Sequence, residues 1–565
     1  MVSSNTTYLK RANSRATAIN IAPYLAIFAA VLLSLFIPWE MGGESWGYWY
    51  FSKALLAGEG FVNVDRSPAY TLYLLLFQSL PYPYSVNAEY VFSGLFVAVS
   101  FYLFLANFCS ARFALIAAIV WLPIFQTYEP ILQKFGLALV LIGFHIRIST
   151  QTKISNKLCY LLLLLAALTR AVFVFGLLLL VIFDLIAYFK KADGQNANSP
   201  VDRVVVPLTS VALYFIAGVF FGAFKSGDVW NNVYFSSTSW FPGGGTFLTA
   251  VQGPSWYYIG TTYGSFDEHD FWFTHPEAFG SANNLIEMTI ARPLLMTQFF
   301  LANAYRLLSL MSFSFPEINI GARVVRIAFK TLFLPLLLYG AYRFSRNRPI
   351  VQVFLLAILS SVLVTVLVSP SQRYMAAIAP LIALSAWYFV GTMQKQYPNA
   401  NKLVIGSVIF GLFHWLPISN IVESFKSVGE PLFAGHAPQI LEGQGRSMHH
   451  AHDEISREIK DCHGVMSLEA LYIAAFTAHS RRNIYDIWEI PPFGKLSESA
   501  YNGLRLDRID CLLISSELET GFGFATNSRI RYLNFIAPYA LALTAAGAET
   551  IPIARYGKLV RLKNN

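Results

Sequence analysis

Long apolar runs separated by short basic loops leave this chain few ways to fold. The runs fall at about 18–38, 86–108, 112–128, 132–146, 158–169, 171–189, 204–224, 321–342, 349–368, 374–393 and 402–418. A straight helix crosses a bilayer in roughly 20 apolar residues, a length that some of these reach and others miss. Hydrocarbon offers no partner for a backbone N–H or C=O, so helices and closed barrels are the permitted structures. Only 13% of the residues are charged and 55% are hydrophobic, whereas a soluble domain carries about twice that charge. Aromatics reach 16%, which suits Trp and Tyr belts at two interfaces. The expected fold is a polytopic α-helical membrane protein with about eleven transmembrane helices.

A net charge of +9 would, in a soluble protein, point to nucleic acid. Here the basic residues sit mostly in short loops, where topology and anionic headgroups account for them. Membrane lipids are expected partners and nucleic acid is not. Lys10, Arg11 and Arg15 precede the first run like the n-region of a signal peptide, but the run is long and lacks a small-residue cleavage site. It reads as an uncleaved first span. These three, then Arg147, Lys153 and Lys157, then Lys190, Lys191 and Arg203, then Arg343, Arg346 and Arg348 mark the cytoplasmic side, with the N-terminus. The first outer loop is then 39–67 and a large outer loop spans 225–290, with Lys225 at its edge as the one basic residue from Lys225 to Met288. The stretch 293–314 is apolar enough to cross. If it does, everything after it inverts, and hydropathy alone leaves that choice open.

Composition changes after Ile418. Residues 419–565 carry ordinary charge and no run long enough to span, so a small soluble α/β domain follows a membrane domain over 1–418. HDEISREIKD and SLEALYIAAFTAHS read as helices; DCLLISS and the closing ETIPIARYGKLVRLK read as strands. Of the four cysteines, Cys462 and Cys511 lie in this domain. They can pair in an oxidising compartment, and the sequence leaves that open.

Residues able to carry chemistry gather beside the first outer loop. Glu44 follows the first run within PWEMGGESWGYWYFSKALLAGEG, an aromatic-rich segment suited to an interfacial helix. It is either a first-turn acid favoured by the helix dipole or a general base whose pKa a lipid-side setting raises; Glu40 and Asp65 are the other acids at hand. Arg66, Arg170 and Arg373 all fall at the outer ends of apolar runs. Each alone can be a snorkelling anchor, but three on one side fit a phosphate site, because guanidinium matches phosphate oxygens bidentately. Lys53 and Lys134 are weaker additions. Asp267, Glu268 and His269 in the large loop read as a solvated tip, as acceptor contacts or, without a recognised ligand spacing, as metal ligands. The group His449, His450, His452, Asp453, Cys462 and His463 raises the same metal question, against which Asp453 can simply cap a helix.

These features resemble the GT-C fold of integral-membrane glycosyltransferases that use polyprenyl-phosphate sugars, the superfamily of protein O-mannosyltransferases and aminoarabinose–lipid A transferases. The resemblance rests on Glu44 after the first span, the aromatic run Tyr48 to Gly58, Arg66-Ser67-Pro68-Ala69-Tyr70, Tyr128-Glu129-Pro130, the Leu168-Thr169-Arg170 triplet, Arg373-Tyr374 and the closing RYGKLVRLK. Many relatives carry Asp or an Asp-Glu pair where Glu44 stands, which keeps Glu40 as runner-up. The resemblance implies Glu44 as catalytic base; Arg66, Arg170, Arg373 and Lys53 at the donor phosphate; and Tyr48, Tyr70, Tyr374 and the large-loop residues at the acceptor. The Asp-x-Asp of metal-dependent members is absent from the loop, so transfer is expected to need no metal and no cofactor beyond the lipid-linked donor. It also implies a bacterial inner-membrane location with a periplasmic C-terminal domain. The expected activity is inverting transfer of a sugar to a hydroxyl of a lipid, glycan or protein. A transporter or lipid-sugar flippase, or an inactive relative that binds lipid-linked sugar, are the alternatives; repeated halves and mid-membrane sites would favour transport.

Overall fold

The computed structural model describes residues 21–34, 43–58, 68–82, 84–127, 131–150, 152–191, 204–220, a few between 289 and 301, 320–367, 376–396, 451–467, 470–477, 484–486, 509–516, 536–545, 547–554 and 556–562. The expected run 402–418 and most of 293–314 lie outside them.

The described part of the first domain is helical. In chain order come α1 Ala22–Ser34, α2 Gly43–Leu56, α3 Pro68–Leu74, α4 Tyr84–Ala106, α5 Ala111–Thr127, α6 Ile131–Ser149, α7 Lys153–Thr169, α8 Val174–Lys191, α9 Val206–Phe220, α10 Ile320–Ser345, α11 Pro349–Leu367 and α12 Ala379–Gln396. Among the described residues, α4 is the helix long and apolar enough to cross a membrane by length and composition, and several others are shorter apolar helices. The count of about eleven spans therefore exceeds what these helices carry by that measure. One core unites the bundle, with Phe101, Phe104, Phe144, Leu163, Leu177 and Phe354 fully buried in it.

Local chemistry sets the helix limits. α7 begins five residues before its apolar run because Thr152 caps it, its side chain accepting from Ser155 N at 3.1 Å. It ends at Arg170, whose φ of −151° and ψ of 128° are extended. The chain turns there through a short 3-10 segment, Ala171–Phe173, into α8. The two runs around Arg170 are thus separate helices. Phe173 crosses so close to α6 that a Cβ on Gly136 would lie 2.3 Å from its ring; glycine makes that approach available.

The C-terminal region forms a mixed sheet. α13 His452–Glu458, β1 Val465–Ser467, α14 Ala470–Phe476, β2 Ile484–Asp486, β3 Cys511–Ser515, α15 Ala537–Ala545, β4 Glu549–Ile553 and β5 Gly557–Arg561 follow in sequence. The strand order is β2-β1-β3-β5-β4. β1 runs parallel to β2 and β3, while β5 pairs antiparallel with β3 and β4. Where they are described, the segments read as helix or strand from the sequence take that form, except that Ser467, read as the start of a helix, ends β1. Gly557 has φ +154°, and a Cβ there would meet Ile514 O at 2.2 Å, so the β5 turn requires glycine. Cys462 and Cys511 are joined by a disulfide. That tie closes the approach to β1 onto β3 and removes Cys462 from any zinc site.

Candidate functional site

Helix α2 was expected to lie in a lipid interface with one face exposed. Instead Trp46, Tyr48, Trp49, Tyr50, Ser52 and Ala54 are all buried, positions that go round the helix. The reason is that α2 is covered twice. α3 and the short 3-10 turn Leu75–Phe77 pack on one side, and α14 of the C-terminal domain covers the other, so that a second core runs continuously from Tyr48 and Tyr90 to Tyr472 and Tyr556.

Aromatic edges and one lysine make the cover. Trp46 meets Tyr472 edge-on at 5.4 Å, and Trp49 lies 5.8 Å from Phe476. Tyr82, just before α4, reaches His452 at 4.5 Å and Phe476 at 4.8 Å. Edge-to-face pairs of this kind add about 0.5–1.5 kcal/mol each beyond area burial. The Lys53 ammonium donates to Ala474 O at 2.9 Å and to Thr477 O. These carbonyls close α14, where a cation complements the helix dipole. Lys53, expected at a donor phosphate, thus joins α2 to the C-terminal domain. His452 Nδ1 and the Tyr472 hydroxyl share a hydrogen bond of 2.9 Å. Burial pulls His452 below the usual imidazole range, with Asp453 opposing, and burial raises the Tyr472 phenol well above its ordinary range. Asp453 stands in the first turn of α13 rather than at its cap, which is Ala451; an acid there still complements the helix dipole.

Beneath α2 lies a charged group that the sequence reading passed over. Glu89, on the first turns of α4, is fully buried. Its Oε1 accepts from the Tyr70 hydroxyl at 3.2 Å; its Oε2 has no hydrogen-bond partner among the described residues. Lys134, 4% exposed, lies near enough to act on that carboxylate, and its ammonium sits 4.8 Å above the Tyr90 ring. Tyr70 also meets Tyr48 edge-on at 5.5 Å. Tyr48 and Tyr70, expected at the acceptor, therefore belong to the packing between α2, α3 and α4. Trp46 Nε1, Ser52 Oγ, Thr71 Oγ1, Tyr73 Oη and Asn87 Oδ1 are further buried atoms of this region with no such partner among the described residues. Native cores leave few polar groups in that state, and here they concentrate around α2, α3 and the start of α4.

The other expected residues divide by position. Glu44 is the second residue of α2, one turn before Tyr48. Arg170, half-buried, stands at the α7–α8 break on the same end of the bundle: Phe173 packs on Gly136, and the neighbouring Phe135 stacks on Tyr73 at 4.3 Å. α11 reaches this break too, Ser361 Oγ donating to Val172 O at 2.8 Å. Glu40, Arg66, Asp267, Glu268, His269, Arg373 and Tyr374 lie outside the described residues. A lone acid at the start of an apolar run was the available signal for Glu89.

At the far end of α6, Arg147 clamps Asp184 of α8 with bonds of 2.8 and 3.1 Å, and the Tyr160 hydroxyl donates to the same carboxylate at 2.8 Å. Sequence reading had used Arg147 only as a topology marker.

No protein-family model matches the chain, and no curated protein is similar to it. Solved structures of an oligosaccharyltransferase from Archaeoglobus fulgidus are similar in shape. The apo form aligns with a TM-score of 0.47 at 12% identity, over 90% of this chain and 71% of that one. The same enzyme tethered to an acceptor peptide gives 0.46 at 12% identity, over 89% and 70%. Its complex with an inhibitory peptide and a dolichol-phosphate gives 0.45 at 12% identity, over 96% and 74%.

Proposed function

We infer that this protein is a GT-C-type glycosyltransferase that moves a sugar from a polyprenyl-phosphate donor to a hydroxyl acceptor at the outer face of a membrane. The observation that carries the reading is the setting of α2. Its N-terminus bears Glu44, its body is clamped between the helical bundle and the C-terminal domain, and Arg170 stands at a helix break on the same end. This reading places the acid and a guanidinium on separate rigid elements, as positioning catalysis requires.

In the mechanism, Arg66, Arg170 and Arg373 meet the charge that grows on the departing lipid phosphate. The sugar carbon gains oxocarbenium character as that bond lengthens, as it does in glycoside cleavage. Glu44 accepts the proton of the acceptor hydroxyl on the opposite face, which inverts the anomeric centre; Glu40 is the alternative base. Asp267, Glu268, His269 and Tyr374 contact the acceptor. No metal takes part. The Cys462–Cys511 disulfide supports an oxidising, periplasmic side for the C-terminal domain and hence for α2, which it covers.

The test uses detergent-purified full-length protein and a panel of radiolabelled polyprenyl-phosphate sugars. Wild-type protein is expected to consume one donor in the presence of acceptor. Glu44→Gln should lose at least 100-fold in kcat, the low end of what general-base catalysis contributes, roughly 10²–10⁴. Full activity in both Glu44→Gln and Glu40→Gln would overturn the assignment of the base. Saturable donor binding without turnover would point to an inactive lipid-sugar-binding protein.

A further inference from the structure

We propose that Glu89 is a positioning residue: through the Tyr70 hydroxyl it holds α3 against α2 in one register, and so fixes the seat of α2, the helix on which Glu44 stands. Its mechanistic meaning rests on the glycosyl-transfer reading above; its geometry does not. Three contacts carry it. Tyr70 donates to Glu89 Oε1 at 3.2 Å. The Tyr70 ring meets Tyr48 of α2 edge-on at 5.5 Å. Tyr48 lies four residues after Glu44, and Tyr70 lies four after Arg66. One side chain therefore touches both helices, and a carboxylate on a third element, α4, fixes that side chain.

The chemistry at position 89 is costly for a purely structural post. Glu89 is fully buried, and its Oε2 has no hydrogen-bond partner among the described residues. An unsatisfied buried oxygen weakens a fold, and an apolar residue of similar volume commonly serves stability as well or better. What the acid provides is direction. A carboxylate oxygen is a strong acceptor that fixes the phenol's torsion, and the buried Lys134 ammonium lies close by, 4.8 Å above the ring of the adjacent Tyr90. Small misplacements of a reacting group are expensive: about 1 Å can cost 100-fold in rate.

A kinetic cycle together with a distance measurement tests the proposal on the full-length protein. Tyr70→Phe keeps the ring and deletes only the hydroxyl. It is expected to lower kcat about tenfold with little change in donor KM, as loss of alignment rather than of binding requires. Glu89→Leu should lose at least as much. Glu89→Gln should lose less, because its amide oxygen still accepts. The double variant Tyr70→Phe/Glu89→Leu should match Glu89→Leu alone, as coupled groups do. Wild-type kcat in Tyr70→Phe, or a double variant showing the product of the two single losses, would overturn the proposal. Spin labels on the exposed positions Leu56→Cys of α2 and Leu72→Cys of α3, with Cys109 and Cys159 replaced by serine, give a readout independent of activity. Their distance distribution should broaden on adding Tyr70→Phe, and an unchanged distribution would also overturn the proposal. If wild-type protein consumes no donor yet the distribution broadens, the glycosyl-transfer reading fails while the positioning role stands.

Discussion

The bundle buries a carboxylate at each end of α6, and the two are treated differently. At the Asp184 end, Arg147 bonds both carboxylate oxygens and Tyr160 adds a third contact. At the Glu89 end, one oxygen has a tyrosine and the other has no hydrogen-bond partner among the described residues. A satisfied network holds helices together and asks nothing more. An unsatisfied one gives up stability, and the position of that sacrifice beside α2 and α3 is informative. Burial alone does not separate a structural charge from a working one. The count of satisfied bonds does.

The comparison can be broken most forcefully at its closed end. Asp184→Leu leaves the Arg147 guanidinium buried without its partner and should cost about 3–5 kcal/mol, read as a lower unfolding temperature in detergent. Arg147→Met/Asp184→Leu should recover most of that loss, with kcat per folded molecule unchanged. Next in size is the covalent tie of the domain that covers α2. Cys462→Ser/Cys511→Ser should destabilise the C-terminal domain by about 2–4 kcal/mol, visible as faster proteolysis there while the bundle keeps its protection. At the open end the sign reverses. Glu89→Leu/Lys134→Met should leave stability unchanged or raise it by about 1–2 kcal/mol while donor turnover falls. A loss of stability as large as that of Asp184→Leu would erase the distinction.

The smallest expected effect is a pH dependence of the cover. His452 is held below its ordinary value of 6.5 by burial, so the unfolded chain binds the proton more readily than the folded one. Stability from this site is complete above about pH 6.5 and declines as pH falls through the folded-state value. Trp46 and Trp49 fluorescence, followed against denaturant at pH 7.5 and pH 5.5, should show the weaker cover at pH 5.5. His452→Gln should flatten the difference.

Local pattern made much of this legible. The run at 86–108 became α4 within two residues, and DCLLISS became β3, because apolar periodicity and β-branched content act over neighbours. The closing hairpin followed from the same signals. The site was harder to read. Glu89 was absorbed into its apolar run, since its partners Tyr70 and Lys134 stand on other helices and only packing unites them. Lys53 had a cation's chemistry in view of a presumed phosphate, but its partners are 421 and 424 residues away. The aromatic face of α2 read as lipid-seeking for the same reason: tryptophan suits a bilayer interface and a protein interface equally, and nothing local tells them apart. The Cys462–Cys511 tie, across 49 residues, also depended on a strand pairing that spacing could not supply.

That remote partner for Lys53 sets the order in which the molecule can be completed. Helix α2 leaves the ribosome well before the residues that cover it. With chain growth at roughly 5–20 residues per second, the 421 residues between Lys53 and Ala474 correspond to about 20–80 s of synthesis. Throughout that interval Trp46 and Trp49 must rest against lipid, a chaperone or another nascent segment. The arrangement makes a truncated chain easy to recognise: any product that stops before Phe476 displays an uncovered aromatic helix, which a quality-control protease can read as unfinished.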